Sequence, residues 1–575
     1  MKVVCFDFDG VVIHSSEVQR YAFSESYYQV MGEVAGEEKI QEFFSNSGDS
    51  LPNIFRKMGI PLEIVDIYRK VSIEGRSKIK LHQGMKELLS DLKEQNISCA
   101  LCTGKDRERT IMILKDLKIY RCFDEIVCSD DVENPKPHPQ SLKVLMEKFQ
   151  VAKEEMLMVG DAVNDIKCAK NAGVVSVGVT WGDVPRKMLL QAHPDFMADN
   201  IEELRSAITY NMRKKLIFND FVVAEDICNM KCEYCLTQTS HFEKEHEMTC
   251  EEKRKLSSYN YCEQPEFQER MDDIQENLLR EMDIAVLKIS GGEIMMLPKI
   301  EEYILLQAKK YRKVQVLTNG VLLKKEQLAR FKEAKNICLQ ISLDHHTMEG
   351  NSYRTKDDRI LKRILENLEL AYEAGLPVEV NCVLTDRNTK VLSGFLDYLL
   401  RYEKGVVVYP FPVRGAQKSQ YYMREEQIEE IQKIVDEYER YENILAPKTY
   451  MEHLLDFLKT GQRKGRCYLP YLAMGVFEDG TVTPCPNYWF NSLGCVLEEP
   501  QKVVAKAGTD FIYQVLCGKR NQREECRACF TPWEAVNLYI DGAITYEELA
   551  KTPSYSFQGA EEYIADMKQL IMQRG

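Results

Sequence analysis

The sequence has no apolar run approaching the roughly 18 residues that span a bilayer, and its start, MKVVCFDFDGVVIHSS, lacks a basic region followed by a long apolar stretch. Neither a membrane span nor a secretory signal is expected, which places the chain in the cytoplasm. An excess of positive charge is missing too. The 76 Lys and Arg stand against 90 Asp and Glu, a formal charge of −14, which disfavours nucleic acid and acidic lipid as general partners. There is no sustained low-complexity tract and no internal repeat, and 44% hydrophobic with 29% charged residues supply several cores rather than a disordered chain. At roughly 100–200 residues per domain, 575 residues predict three or four domains. The nineteen cysteines are odd in number and spread along the chain. They make a poor disulfide framework, so their spacing is a test for metal or cluster ligation.

From Met1 to about Ile208, short apolar runs (VVCFDFDG, ISCALCTG, DEIVCSD, MLMVGDA, VVSVGV) alternate with helical patterns. This predicts a parallel α/β sheet flanked by helices. Residues of about 15–80 interrupt the series with amphipathic helical periodicity and read as an inserted helical cap. The polar, basic stretch 209–220 reads as a short linker. A second alternating series (FVVAED, VLKISGG, VQVLTNG, ICLQISLD, VEVNCVLT, VVVYPFPV) predicts a (β/α) barrel, complete or partial, over 221–450. Gln238 to Arg270 reads as a charged insertion after the first barrel strand. Residues 451–575 form a Cys-, Gly- and Pro-rich segment with an acidic helical tail.

The first strand delivers Asp7 and Asp9 at its C-terminal end, where ligands bind in parallel sheets and where alternation points both carboxylates the same way. Two like charges there need a cation or a proton. Thr103 in LCTGK, Lys136 in NPKPHP, and Asp161 and Asp165 in GDAVND follow in order. This set resembles the haloacid dehalogenase superfamily over about 200 residues, which implies a Rossmann-like domain. By that resemblance Asp7 is the nucleophile and Asp9 the acid/base. Thr103 and Lys136 hold phosphoryl oxygens, and Mg²⁺ sits on Asp7, the carbonyl of Asp9 and Asp161 with Asp165 in support. An aspartate at the second motif position favours phosphate esters. The cap and sequence style look most like phosphoglycolate phosphatase and β-phosphoglucomutase relatives, with hydrolase and mutase not separable. His14, His82 and His138 are read as packing or surface residues.

DICNMKCEYCLTQ places Cys228, Cys232 and Cys235 in a C-x3-C-x2-C loop directly after a strand. Three thiolates can wrap one soft centre, and a missing fourth ligand suits a [4Fe–4S] cluster with an open iron better than zinc. The loop resembles the radical S-adenosylmethionine superfamily. That implies a 5′-deoxyadenosyl radical, an electron donor such as flavodoxin or ferredoxin, and a methionine-binding motif at Gly291, Gly292 and Glu293. Tyr234 matches the aromatic near cluster and adenine, and Ser342, Thr318, Asn319 and Asp344 lie at later strand ends. Cys250, Cys262, Cys338 and Cys382 lack ligand spacing.

Cys467, Cys485, Cys526 and Cys529 resemble the ligand set of a SPASM or Twitch extension, with FEDGTV as a hairpin. The resemblance implies one auxiliary [4Fe–4S] cluster, with a four-thiolate zinc site as the rival. Trp533 and Glu534 stand where the full pattern has further cysteines, and Cys495 and Cys517 are left over. The fusion points to a small, phosphorylated sugar, cyclitol or nucleotide that meets both sites. The alternative is a peptide- or protein-modifying enzyme with an accessory phosphatase.

Overall fold

The computed structural model describes residues 2–46, 49–235, 262–414, 425–489, 491–518 and 523–573. The chain divides into two compact units, the first running to Lys214 and taken up again from Met572, the second Lys215–Ile571. In the first, β1 (Val3–Phe6) is buried at every position, as a parallel strand covered on both faces must be. The chain continues into β2 (Ile13–His14), paired antiparallel with β3 (Lys80–Leu81). Between these two arms stand α1 (Ser16–Met31), α2 (Glu37–Ser45), α3 (Leu51–Lys57) and α4 (Ile64–Gly75). The four helices share an apolar centre of their own, built around Phe23, Phe43, Phe55 and Tyr68, so the expected cap is a separately packed insertion.

Next come β4 (Ser98–Cys102), β5 (Glu125–Val127), β6 (Met156–Gly160), β7 (Val175–Val179) and β8 (Phe196–Ala198). With β1 they form a parallel sheet in the order β5-β4-β1-β6-β7-β8. The strand order reverses at β1, and ligands of such sheets bind at the C-terminal strand ends beside the reversal.

The second unit carries β9 (Lys214–Val223), β10 (Met282–Gly291), β11 (Lys313–Thr318), β12 (Ile337–Ser342), β13 (Val378–Leu384) and β14 (Val406–Pro412), neighbours in sequential order. β15 (Ala473–Phe477) pairs parallel to β9 and turns back into β16 (Thr481–Thr483) and then β17 (Gly494–Cys495). The sheet ends at β14 and β17, so the barrel is partial among the described residues.

Two boundaries differ from expectation. The segment 209–220 is regular structure, with the helix Ile201–Met212 running almost directly into β9. Its basic residues Arg213, Lys214 and Lys215 suit a helix C-terminus, so the composition marks a helix end rather than a tether. Residues after 451 are not set apart either, because β15 extends the same sheet. In the helix Ala560–Met572, Tyr563 Oη donates to the carbonyls of Leu216 (2.9 Å) and Asp283 (2.7 Å). Of the expected insertion Gln238–Arg270, residues up to 261 lie outside the described residues, and the helix Pro265–Glu281 leads into β10.

Candidate active sites

Asp7 follows β1, and Asp161 and Asp165 follow β6, the strand next to it. One carboxylate oxygen from each lies within 4.8 Å of the others. Lys136, 2% exposed, donates to Asp7 Oδ1 at 2.6 Å, Asp165 Oδ1 at 2.5 Å and the Cys102 carbonyl at 3.1 Å. The other oxygen of Asp165 accepts from the Ala162 N–H at 3.0 Å, so this carboxylate is a clamp within the cluster. Asp161 is approached by bare backbone: a Cβ at Gly10 or Gly182 would fall 2.2 or 2.1 Å from its Oδ2. Burial pushes the Asp7 carboxyl up to about 8 although Lys136 pulls it down, and Asp165 adds to the rise. Burial and the charges of Asp7 and Asp165 carry Asp161 well above the carboxylate range. Crowded oxygen donors that resist joint ionisation fit a hard divalent cation such as Mg²⁺.

Asp9 is held apart from this cluster. Its Oδ1 accepts from Ser15 Oγ at 2.5 Å, and its Oδ2 lies 3.2 Å from Lys105 Nζ. Burial works against its charge, yet Lys105 and Ser15 outweigh burial and keep the carboxyl below its ordinary value. Thr103, Asp7, Asp9 and Asp161 line one cavity of about 60 Å³, together with Lys105, Arg109 and the cap residue Tyr68. Sequence reasoning passed over Ser15, Lys105 and Arg109. Lys105 stands two places after Thr103, but only the fold brings it to Asp9. The rings of His14, in β2, and His82, just after β3, meet at a tilt of 47° with centroids 3.4 Å apart, and neither they nor His138 line the cavity.

In the second unit the loop after β9 carries Cys228, Cys232 and Cys235. Burial raises the Cys232 thiol to about 11; Arg354 opposes this, while Asp344, Cys235 and Cys228 add to it. The three sulfurs therefore lie within electrostatic reach of one another. The end of β10 is pressed against this loop. A Cβ at Gly291, whose φ is +152°, would meet the Val223 carbonyl oxygen at 1.7 Å, and one at Gly292 the Ile227 oxygen at 2.1 Å, so only glycine fits. Glu293 N–H donates to the Ile227 carbonyl at 2.7 Å.

The Glu293 carboxylate, 1% exposed, accepts from Thr318 Oγ1 (2.7 Å), Asn319 N–H (2.6 Å) and Met295 N–H (3.0 Å). It braces β10 to β11, and of the three motif residues it is Gly291 that faces the cavity of about 270 Å³, with Tyr234, Cys235 and Ser342. Asn319 Nδ2 also donates to Asn229 Oδ1 on the cysteine loop at 2.7 Å. Asp344, 1% exposed, does not line the cavity. It accepts from Tyr234 Oη, from Arg354 Nη2 at 3.1 Å and from the Val383 N–H at 3.0 Å, which makes it the anchor of Tyr234. Cys262, Cys338 and Cys382 are buried, and Cys250 lies outside the described residues.

Cys467, Cys485, Cys526 and Cys529 line a single cavity of about 30 Å³ with Arg463 and Glu534. Burial raises the Cys485 thiol well above its usual range, with Cys467, Cys529 and Cys526 adding to the rise. Arg463 forms a buried ion pair with Glu534. Cys495, in β17, and Cys517, buried in the helix Phe511–Cys517, do not line this cavity. The expected hairpin is present, with Gly475 opposite Thr483 and Val476 opposite Val482.

A parallel α/β domain with clustered aspartates, joined to a partial barrel with a three-cysteine loop, defines a two-centre enzyme. Residues 4–179 match the haloacid dehalogenase-like hydrolase family and residues 222–390 the radical SAM superfamily. The chain belongs to the haloacid dehalogenase-like hydrolases through its first unit, fused to a radical SAM domain. It is 31% identical over 219 residues to a phosphoglycolate phosphatase of Vibrio parahaemolyticus, covering 36% of this chain and 96% of that protein. It is likewise 31% identical over 207 residues to the pyrophosphatase PpaX of Bacillus mycoides, covering 36% and 95%. A solved haloacid dehalogenase-like hydrolase from Streptococcus pneumoniae is 24% identical, with a TM-score of 0.33, covering 36% of this chain and 98% of that one.

Proposed function

We propose that the first unit hydrolyses a phosphoester and the second modifies a small, phosphorylated metabolite by hydrogen abstraction, so that one compound meets both centres. The observation that carries this reading is that each unit sets donor groups beside a cavity of its own: Asp7 and Asp161, clustered with Asp165, in one, and Cys235 of the three-cysteine loop with Gly291 in the other.

In the hydrolase, Asp7 attacks phosphorus; Asp9, which Lys105 and Ser15 keep ionised before substrate binds, picks up the proton of the incoming phosphoester monoanion, passes it to the leaving oxygen, and then takes one from the water that cleaves the aspartyl phosphate. Ser15 and Lys105 orient Asp9, Thr103 receives phosphoryl oxygens, and Lys136 compensates the Asp7–Asp165 pair. Asp7, Asp161 and the Asp9 carbonyl would hold Mg²⁺, which offsets the repulsion between an anionic nucleophile and an anionic phosphate. The phosphatase and pyrophosphatase relatives support phosphate as the leaving or transferred group.

In the second unit Cys228, Cys232 and Cys235 would hold a [4Fe–4S] cluster, and the Gly291 backbone, Tyr234 and Ser342 would border S-adenosylmethionine. Together the two groups supply a 5′-deoxyadenosyl radical when reduced by a flavodoxin or ferredoxin. Cys467, Cys485, Cys526 and Cys529 would hold an auxiliary cluster in the manner of a SPASM or Twitch extension. The test is anaerobic incubation of the reconstituted protein with S-adenosylmethionine, reductant and a metabolite extract, followed by mass spectrometry. A phosphorylated compound whose loss depends on both Cys235 and Asp7 supports the reading. Consumption of a peptide instead, with no phosphoester touched, overturns it.

A further inference from the structure

The floor of the second unit's cavity is polar where a barrel interior is ordinarily filled by Val, Ile and Leu. Successive strands contribute Asp220, Lys288, Gln315, Gln340 and Glu379, and all of them line the cavity. Their charges are largely settled among themselves. Lys288 Nζ lies 3.7 Å from Asp220 Oδ2, and Glu379 accepts from Gln315 Nε2 at 2.9 Å and from Gln340 Nε2.

Those bonds fix the direction of the Gln340 amide. Its nitrogen is committed to the carboxylate, so its oxygen points elsewhere, buried and with no protein partner. Gln340 as a whole is 4% exposed. Asn381 Oδ1 is also buried without a partner, and Asn381 lines the same cavity. Gln340 stands opposite Glu379 in the register of β12 and β13. Residues two apart on a strand face the same way, so Asn381 is the diagonal neighbour of Gln340 on the same face. Two buried acceptors left open are costly unless a ligand donates to them.

We propose that Gln340 and Asn381 form a hydroxyl-reading subsite that accepts two hydrogen bonds from one polyhydroxylated ring, a sugar or cyclitol. The ring's C–H face would rest against the apolar walls supplied by Phe411 and Trp533, which line the same cavity. The subsite rests on the reading of this unit as a radical site for a small metabolite, and it narrows that substrate's class. A site built to accept from hydroxyls discriminates strongly against analogues that lack them.

The test uses the full-length protein, reconstituted anaerobically, with S-adenosylhomocysteine present, and measures binding by calorimetry. The probes are myo-inositol, glucose and their monophosphates, with cyclohexanol (the same ring size with one donor) and hexa-alanine as controls. At least one polyol or its phosphate is expected to bind, and neither control. Gln340→Met and Asn381→Leu each weaken that binding about tenfold, while Asn381→Asp, which keeps an acceptor, stays near the parent affinity. Circular dichroism and iron content verify that the variants fold. Failure of every polyol to bind, binding that ignores both variants, or binding of hexa-alanine with the same sensitivity overturns the subsite. The underlying reading is scored separately by 5′-deoxyadenosine release on dithionite reduction. Release without polyol binding removes the subsite alone; loss of both removes the radical assignment with it.

Discussion

Replacing Lys136 with Met removes the one ammonium found 2.6 Å from Asp7 and 2.5 Å from Asp165 while keeping most of the side-chain bulk. Breaking a buried ion pair by deleting one partner costs about 3–5 kcal/mol. The low end applies here. With its carboxyl pushed up to about 8 by burial, Asp7 carries a proton much of the time near neutral pH in cation-free buffer, so Lys136 chiefly compensates Asp165. A loss of about 3 kcal/mol corresponds to a factor on the order of 10² in the opening equilibrium. Hydrogen exchange followed by mass spectrometry reads this directly in the β1 and β6 peptides, with the second unit as an internal reference. Adding Asp165→Asn to Lys136→Met should restore more than half of the lost protection, because the neutral amide still accepts from the Ala162 N–H. Unchanged exchange in β1 and β6, or a further loss of similar size in the double variant, refutes the argument that Lys136 is there to compensate charge.

Asp7→Asn should abolish phosphate release from p-nitrophenyl phosphate and leave iron content unchanged, as read by colorimetric phosphate and iron assays. Replacing Cys228, Cys232 and Cys235 together with Ala should remove about four irons and all 5′-deoxyadenosine formation but spare the iron at the C-terminal cysteines; loss of all iron contradicts two separate centres. Gly292→Ala forces a Cβ to within 2.1 Å of the Ile227 carbonyl, so the cysteine loop must shift. S-adenosylmethionine affinity should fall at least tenfold, measured by equilibrium dialysis. Burial raises the Glu379 carboxyl from 4.5 to about 7. The unfolded chain therefore loses this proton first as pH rises, and the stability contribution present below about 4.5 disappears by pH 7, a span of about 3 kcal/mol. Urea midpoints of the second unit should show that slope in the parent and not in Glu379→Gln.

Strand ends were the most legible part of the sequence, since each apolar run terminates in the residue that the sheet then presents. Asp7, Thr103, Asp161 and Gly291 all sit where such runs stop. Residues that act on these groups from elsewhere were not legible. Ser15 lies on the far side of the first turn, and Arg109 is one turn into a helix, so neither has a periodicity that sets it apart from ordinary helix polar residues. The polar floor was hidden for a different reason. Gln315, Gln340 and Glu379 alternate with apolar neighbours, as solvent-facing strand positions do. Only the curling of the sheet places that face inside. The role of Glu293 was only half visible: its motif indicates a cofactor, but its three hydrogen bonds brace the scaffold beneath.

The four-helix insertion of the first unit enters and leaves through the paired arms β2 and β3, and its aromatic centre is made only of its own residues. Sequence drift inside it therefore does not disturb the packing of the strand that bears Asp7. Such an insert behaves as an exchangeable cassette: selection can rewrite which leaving group is admitted while the phosphorus chemistry below is inherited intact.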